Sequence, residues 1–206
     1  MPLQNRVTPT GEIVRQPWRG ALMGNRGRLH DESNKLGRSR WRHKNWVCCV
    51  TEFRGRHRLP MPPAGSRTVY TALFFWDEAS AFAAGHRPCR ECRYDDYQRY
   101  LAFWRAAGLP GDRAAEMDHH LHGARVRRDR SQVRHLAGLE ALPPGTFVLW
   151  QQKPVVIGKD AALQWSPAGY AEVILPKSGA VEVLTPEPVV EVFRAGYQPA
   201  IAFGGG

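Results

Sequence analysis

The chain has 206 residues, 43% of them hydrophobic and 23% charged, proportions that exclude wholesale disorder and allow one domain with a substantial core or two small ones. Its formal net charge of +10 points to a polyanionic partner, most simply nucleic acid. No stretch approaches the roughly 18 apolar residues of a membrane span, and the opening MPLQNRVTPTG has no apolar signal core, so the chain reads as soluble and cytoplasmic with no membrane partner.

The charge is unevenly placed. Residues 1–58 carry +9, residues 59–86 carry −1, residues 87–134 carry +4 and residues 135–206 carry −2. The basic surface is therefore expected from the N-terminal third and from the middle of the chain. In a reducing compartment, four cysteines argue for metal binding or reactivity before disulfides.

Residues 1–45 read as a basic, loop-rich arm, because Gly20, Gly24, Gly27 and Gly37 break any long periodicity. Arg15, Arg19, Arg26, Arg28, Arg38, Arg40 and Arg42 are interleaved with Trp18 and Trp41. Cations for phosphates and indoles for base stacking suit a nucleic-acid groove; the alternative is a solvated arm whose tryptophans belong to the core. Gly24 to His30 is a weak candidate for presenting backbone amides to a phosphate.

Trp46 to Phe53 (WVCCVTEF) has the Val, Cys and aromatic content of a strand. Successive strand side chains face opposite ways, so Cys48 and Cys49 do not readily serve one ion together. One is expected as a metal ligand, with Cys49 slightly favoured, and the other as a core residue. Arg54-Gly55-Arg56 reads as a turn and Leu59 to Ser66 as a Pro-rich connection. Arg67 to Trp76 reads as a strand pairing antiparallel with residues 46–53.

Asp77 then reads as the cap of a short helix, since its side chain can accept from the free amides of the first turn. Gly85 stops that helix and Pro88 prevents its restart. The chain arrives at Cys89-Arg90-Glu91-Cys92, a C-x-x-C knuckle that brings two sulfurs within reach of one ion. With one early cysteine this makes three ligands. His57, His43, His86, His30 and His122 are candidates for the fourth, with water as the alternative.

Tyr94, Tyr97, Leu101 and Trp104 recur at helical steps until Gly108 and Pro110. A second helix is expected from near Asp112, with Met117, Leu121 and Ala124 inward. Asp118 and His122 share a neighbouring face with Arg125, so Asp118 can orient the His122 imidazole for acid–base work or a second metal, unless both belong to an exposed polar face. Arg125, Arg127, Arg128, Arg130 and Arg134, together with Arg87, are candidates for clamping phosphates. From Pro143, five short strands at 8 to 10 residue spacing suggest a small barrel or strongly bent sheet, and Thr185 with Pro186 caps a last helix. Phe193-Arg-Ala-Gly-Tyr-Gln-Pro199 echoes Phe82-Ala-Ala-Gly-His-Arg-Pro88, which a shared helix stop explains without duplication.

The stretch from Phe74 to Arg93 resembles the metal-binding domain of the bacterial Ada methyl phosphotriester repair family: an aromatic strand, an Ala-rich helix, then Ala84, Gly85, Arg87, Pro88, Cys89 and Cys92 in the family's spacing. His86 stands where the family has Phe or Tyr, and adjacent Cys48 and Cys49 stand where it has C-x-x-x-C. The resemblance implies zinc, DNA rather than RNA as partner, and a role in DNA repair or modification, with alkyl acceptance by a cysteine as one form of it. The expected fold is α+β. A zinc-bearing strand–helix unit with two further helices fills residues 46–135, and a short-stranded antiparallel, barrel-like region with a last helix fills residues 143–203. The alternative function is a nuclease or base-removing hydrolase acting through Asp118 and His122.

Overall fold

The structure is a computed structural model that describes residues 2–57 and 70–202. The Pro-rich connection at 59–66, the start of the strand at Arg67, the side chain of His57 and the last glycines lie outside the described residues. Among the described residues the fold is mixed α+β, with four α-helices, two six-stranded sheets and a two-stranded ribbon.

The first half of the chain supplies β1 (Gln4–Val7), β2 (Ile13–Arg15), β3 (Leu22–Asn25), β4 (Val47–Val50), β5 (Glu52–Phe53), β6 (Arg56–His57), β7 (Leu73–Phe75), α1 (Glu78–Ala83) and β8 (Arg87–Pro88). All but β5, β6 and α1 form one mixed sheet in the order β2-β1-β7-β3-β4-β8, while β5 and β6 pair as the ribbon. Two expectations change here. The arm at 1–45 contributes three strands, and β3 lies between β4 and β7, so the two cysteine-region strands do not pair directly.

The second half adds α2 (Tyr94–Ala106), α3 (Ala114–Arg125), β9 (His135–Gly138), β10 (Phe147–Trp150), β11 (Lys153–Ile157), β12 (Ala162–Ser166), β13 (Gly169–Val173), β14 (Ala180–Val183) and α4 (Glu187–Arg194). The second sheet is antiparallel in the order β13-β12-β11-β10-β14-β9. It is open, with β13 and β9 at its edges, and not the expected barrel. Alternation explains why it need not close. Phe147, Val156 and Trp165 pack with α1 residues Ala79 and Ala83, whereas Val148, Val155 and Val183 pack with Val190 of α4. Helices thus reach both faces, and Phe147, Val148, Val155, Val156 and Val183 are buried without closure.

Helix α1 is the centre of this arrangement, and all six of its residues are buried. Ala81 and Ala84 meet the first sheet, Ala79 and Ala83 meet the second, and Phe82 enters the cluster built by α2, α3 and α4. Alanines permit close approach on two sides, while Phe82 fills the third. Its replacement by Ala would remove a fully buried ring and cost about 3–5 kcal/mol.

The ends of α1 follow from local chemistry. Asp77 accepts from the Ser80 amide at 2.8 Å, and the Ser80 hydroxyl accepts from the Asp77 amide at 3.0 Å, a reciprocal capping box. Gly85 takes a φ of 82°, and the His86 amide reaches back to the Ala81 carbonyl at 2.9 Å. Helix α4 stops the same way, with Gly196 at φ 123° and the Tyr197 amide donating to Val192 at 3.2 Å. The sequence echo is therefore one Schellman-type stop used twice. At the start of α4 the expected Thr185 cap is not seen: Thr185 Oγ1 accepts from the Phe147 amide, and Pro186 occupies the cap position.

Candidate metal centre and basic surface

Strand β4 (VCCV) directs its two cysteines to opposite faces of the first sheet. Cys48 joins Leu73, Phe75, Ala81 and Ala84 against α1, while Cys49 joins Met23, Ala72 and Phe74 on the other face. The left-handed turn at Gly85 brings the chain back alongside β4. There the Arg87 amide donates to the Trp46 carbonyl at 3.2 Å, and the Cys89 amide donates to the Cys48 carbonyl at 3.0 Å. This parallel pairing fixes the knuckle next to Cys49.

The Sγ atoms of Cys49, Cys89 and Cys92 lie within 4.8 Å of one another. In a tetrahedral zinc site with Zn–S near 2.3 Å, sulfurs stand about 3.8 Å apart, so the three residues fit such an ion. Their chemistry fits as well. Cys49 and Cys92 hold the Cys89 thiol well below its ordinary range by donating to its sulfur, while contacts with Cys89 and Cys92 push the Cys49 thiol up. The Glu91 amide also donates to the Cys89 sulfur, at 3.4 Å.

Cys48 is not part of this group. Its side chain is fully buried, burial pushes its thiol up to about 12, and its sulfur accepts from Arg93 Nη1 at 3.1 Å. Arg93 also donates to Glu78 at 2.5 Å and to Asp96 at 2.7 Å, tying the exit of the knuckle to α1 and α2. Cys48 is thus a core residue on the helix side of the sheet.

Among the described residues no histidine joins the three sulfurs. His86 is fully buried: its Nδ1–H donates to the Val47 carbonyl at 3.0 Å, and its Nε2 accepts from Arg26 Nε at 2.9 Å. His30 lies between Thr71 Oγ1 and the Gln4 carbonyl. His122 packs edge-on against Trp41 and Trp46. His43 sits close enough to Asp118 and Arg125 to feel both charges.

Asp118 and His122 do not form the expected pair. Asp118 accepts from Arg87 Nε at 3.1 Å and Nη2 at 2.6 Å, and both side chains are nearly inaccessible. The two groups on α3 share a helical face, but the buried guanidinium of Arg87 takes both carboxylate oxygens. His122 Nδ1 faces Arg125 Nη2 at 3.4 Å instead. Burial, and then the charges of Arg125 and Lys44, pull the His122 imidazole down to about 4.

The expected phosphate contacts divide into two sets. Arg15, Arg19, Arg28, Arg38, Arg42, Arg127 and Arg128 are exposed, and Arg40 is half-buried. Arg26, Arg87 and Arg125 are buried and are not available to a phosphate backbone running over the surface. Trp18 is core as well, edge-on to Trp76 and Trp165. The Gly24 to His30 loop has no amide to spare at three positions: Gly27 donates to Asn25 Oδ1, and Leu29 and His30 donate to Thr71 Oγ1.

The Arg26 and Arg125 guanidiniums both lie over the Trp46 ring, at 4.0 Å and 4.2 Å from its centroid. Arg26 donates to the Ala84 carbonyl and Arg125 to the Gly85 carbonyl, at the C-terminal end of α1. Residues 26, 46 and 125 are too far apart in sequence for any spacing to signal this. Comparison of the chain with protein-family profiles, curated proteins and solved structures found no match.

Proposed function

We propose that this is a zinc-binding, nucleic-acid-interacting protein that works in DNA repair or DNA modification, with DNA favoured over RNA. The observation that carries the reading is the convergence of Cys49, Cys89 and Cys92 from two separate segments onto one point. The resemblance of Phe74 to Arg93 to the Ada metal-binding domain supports it, as does the set of exposed arginines around β3, β4 and the end of α3.

Cys49, Cys89 and Cys92 would hold the zinc, which when bound keeps their sulfurs deprotonated at neutral pH. Arg28, Arg38, Arg42, Arg127 and Arg128 would neutralise phosphates, releasing counterions and making affinity fall with salt. Four free cysteines fit a reducing, cytoplasmic setting, and among the described residues no helix is long and apolar enough to cross a membrane.

The test is binding of the full chain to double-stranded DNA, single-stranded DNA and RNA of one sequence, followed across salt. Binding that is tightest for DNA and weakens with salt supports the reading. Absent or salt-independent binding removes it.

A further inference from the structure

The two arginines over Trp46 belong to a cavity. It has a volume of about 190 Å³ and is lined by Arg26, Arg40, Trp46, Arg125, Arg130 and Arg134, with Gln132 beside them. Among the described residues Glu12 is the one acid on its wall, and it is exposed.

Burying a charge is unfavourable unless an opposite charge accompanies it. Arg26 and Arg125 are 3% and 2% exposed, yet among the described residues neither forms an ion pair. Asp118, whose charge reaches Arg125, is committed to Arg87. The carbonyls of Ala84 and Gly85 accept hydrogen bonds without cancelling the charge. Among the described residues Arg125 Nε is buried without a hydrogen-bond partner, and so is Gln132 Oε1, while Gln132 Nε2 donates to the carbonyls of Pro9, Ala83 and Leu184. Burial, and then the charges of Arg125 and Arg40, pull the Arg26 guanidinium down to about 9, and burial pulls that of Arg125 down to about 9. Several cationic groups, an unused N–H donor and room for a few heavy atoms suit this cavity to an anion.

We propose that this cavity binds one phosphate-type oxyanion, either a free phosphate or the phosphomonoester of a nucleotide, against Arg26 and Arg125 with Arg40 and Arg130 at its wall. The size suits a single tetrahedral anion with little attached inside the cavity. Arginine is the residue suited to it, because its planar fork matches phosphate oxygens. Gln132 Oε1 would accept from a protonated phosphate oxygen or the adjoining hydroxyl. This site is separate from the sulfur cluster and does not depend on the nucleic-acid reading.

The experiment is calorimetric titration of the full chain, at fixed ionic strength, with inorganic phosphate, with a 5′-phosphorylated dinucleotide and with the same dinucleotide bearing a 5′-hydroxyl. Phosphate is expected to bind once per chain. Arg40→Gln with Arg130→Gln should weaken it about tenfold or more, the effect of removing a charge-assisted hydrogen bond. Lys159→Gln with Lys177→Gln removes the same charge from exposed side chains that do not line the cavity, and should leave phosphate binding unchanged. Tighter binding of the phosphorylated dinucleotide than of phosphate supports a nucleotide source, and equal binding supports a free oxyanion. No binding of phosphate by the wild-type chain, no weakening in the Arg40/Arg130 variant, or equal weakening in both variants overturns the proposal. Absence of DNA binding with phosphate binding intact would remove the nucleic-acid reading alone.

Discussion

Arg87 and Asp118 meet through two hydrogen bonds between β8 and α3, with side chains 2% and 4% exposed. Arg87 also donates to Asn45 Oδ1 and to the Pro88 carbonyl, so its guanidinium locks the strand leading into the knuckle. Removing one partner of such a pair leaves an uncompensated buried charge. Asp118→Ala is therefore expected to destabilise the fold by about 3–5 kcal/mol, and Arg87→Met with Asp118→Leu by much less. Urea denaturation of the two variants checks this; a stable Asp118→Ala protein would contradict it.

The capping box at Asp77 carries more than a cap. Asp77 Oδ2 accepts from the Tyr170 hydroxyl at 2.8 Å and from the Ala202 amide at 3.0 Å, linking the start of α1 to β13 and the C-terminal segment. Asp77→Ala should cost about 1 kcal/mol for the cap, and about 1–3 kcal/mol more for the buried groups left unpaired. Tyr170→Phe, which removes the donor but strands no buried hydroxyl, should cost less. Midpoints of chemical denaturation give the comparison.

Acid should destabilise the protein below neutral pH. His86 is neutral between Arg26 and the Val47 carbonyl, and burial together with the Arg26 charge holds it well below the usual imidazole range. His122 is lowered to about 4. The unfolded chain takes up these protons first, near 6.5, so stability is full above that value and falls as the pH drops from about 6.5 towards 4. Melting temperature measured between pH 7.5 and 4.5 should decline over that window. His86→Gln should flatten the decline, and a profile unchanged by it would contradict the assignment.

The exposed arginines after α3 should govern affinity for DNA without sequence preference. Replacing Arg127 and Arg128 by Gln should reduce the slope of log affinity against log salt by about 1 for each phosphate no longer neutralised. A slope equal to that of the wild type would place the DNA-binding surface elsewhere.

The parts of this protein written in short stretches of sequence are legible there. The Asp77 cap, the Gly85 stop, the C-x-x-C knuckle and the aromatic stripe of α2 each depend on residues a few positions apart. Cys48 and Cys49 are harder to separate, because both faces of β4 are buried and alternation alone ranks neither. The choice is made by Arg93 on one side and by Cys89 and Cys92 on the other. The arm at 1–45 conceals its strands behind its glycines. At Gly24 a Cβ would come within 2.4 Å of the Phe75 ring, so this glycine marks close packing inside β3 and not a break. The barrel expectation fails for a similar reason: strand spacing records neither the edges of a sheet nor the helices that cover it. The Asp118–His122 pair fails because helical spacing places groups on a face without showing which distant arginine reaches them first.

One ion should be held by Cys49, Cys89 and Cys92 while the neighbouring Cys48 stays in the core. The most direct test is the zinc content of the purified wild-type chain and of the Cys48→Ser, Cys49→Ser and Cys89→Ser variants. One zinc per chain in the wild type and in Cys48→Ser, with none in the other two, is the predicted result. A wild-type chain without zinc, or zinc absent from Cys48→Ser and kept in Cys49→Ser, would contradict it.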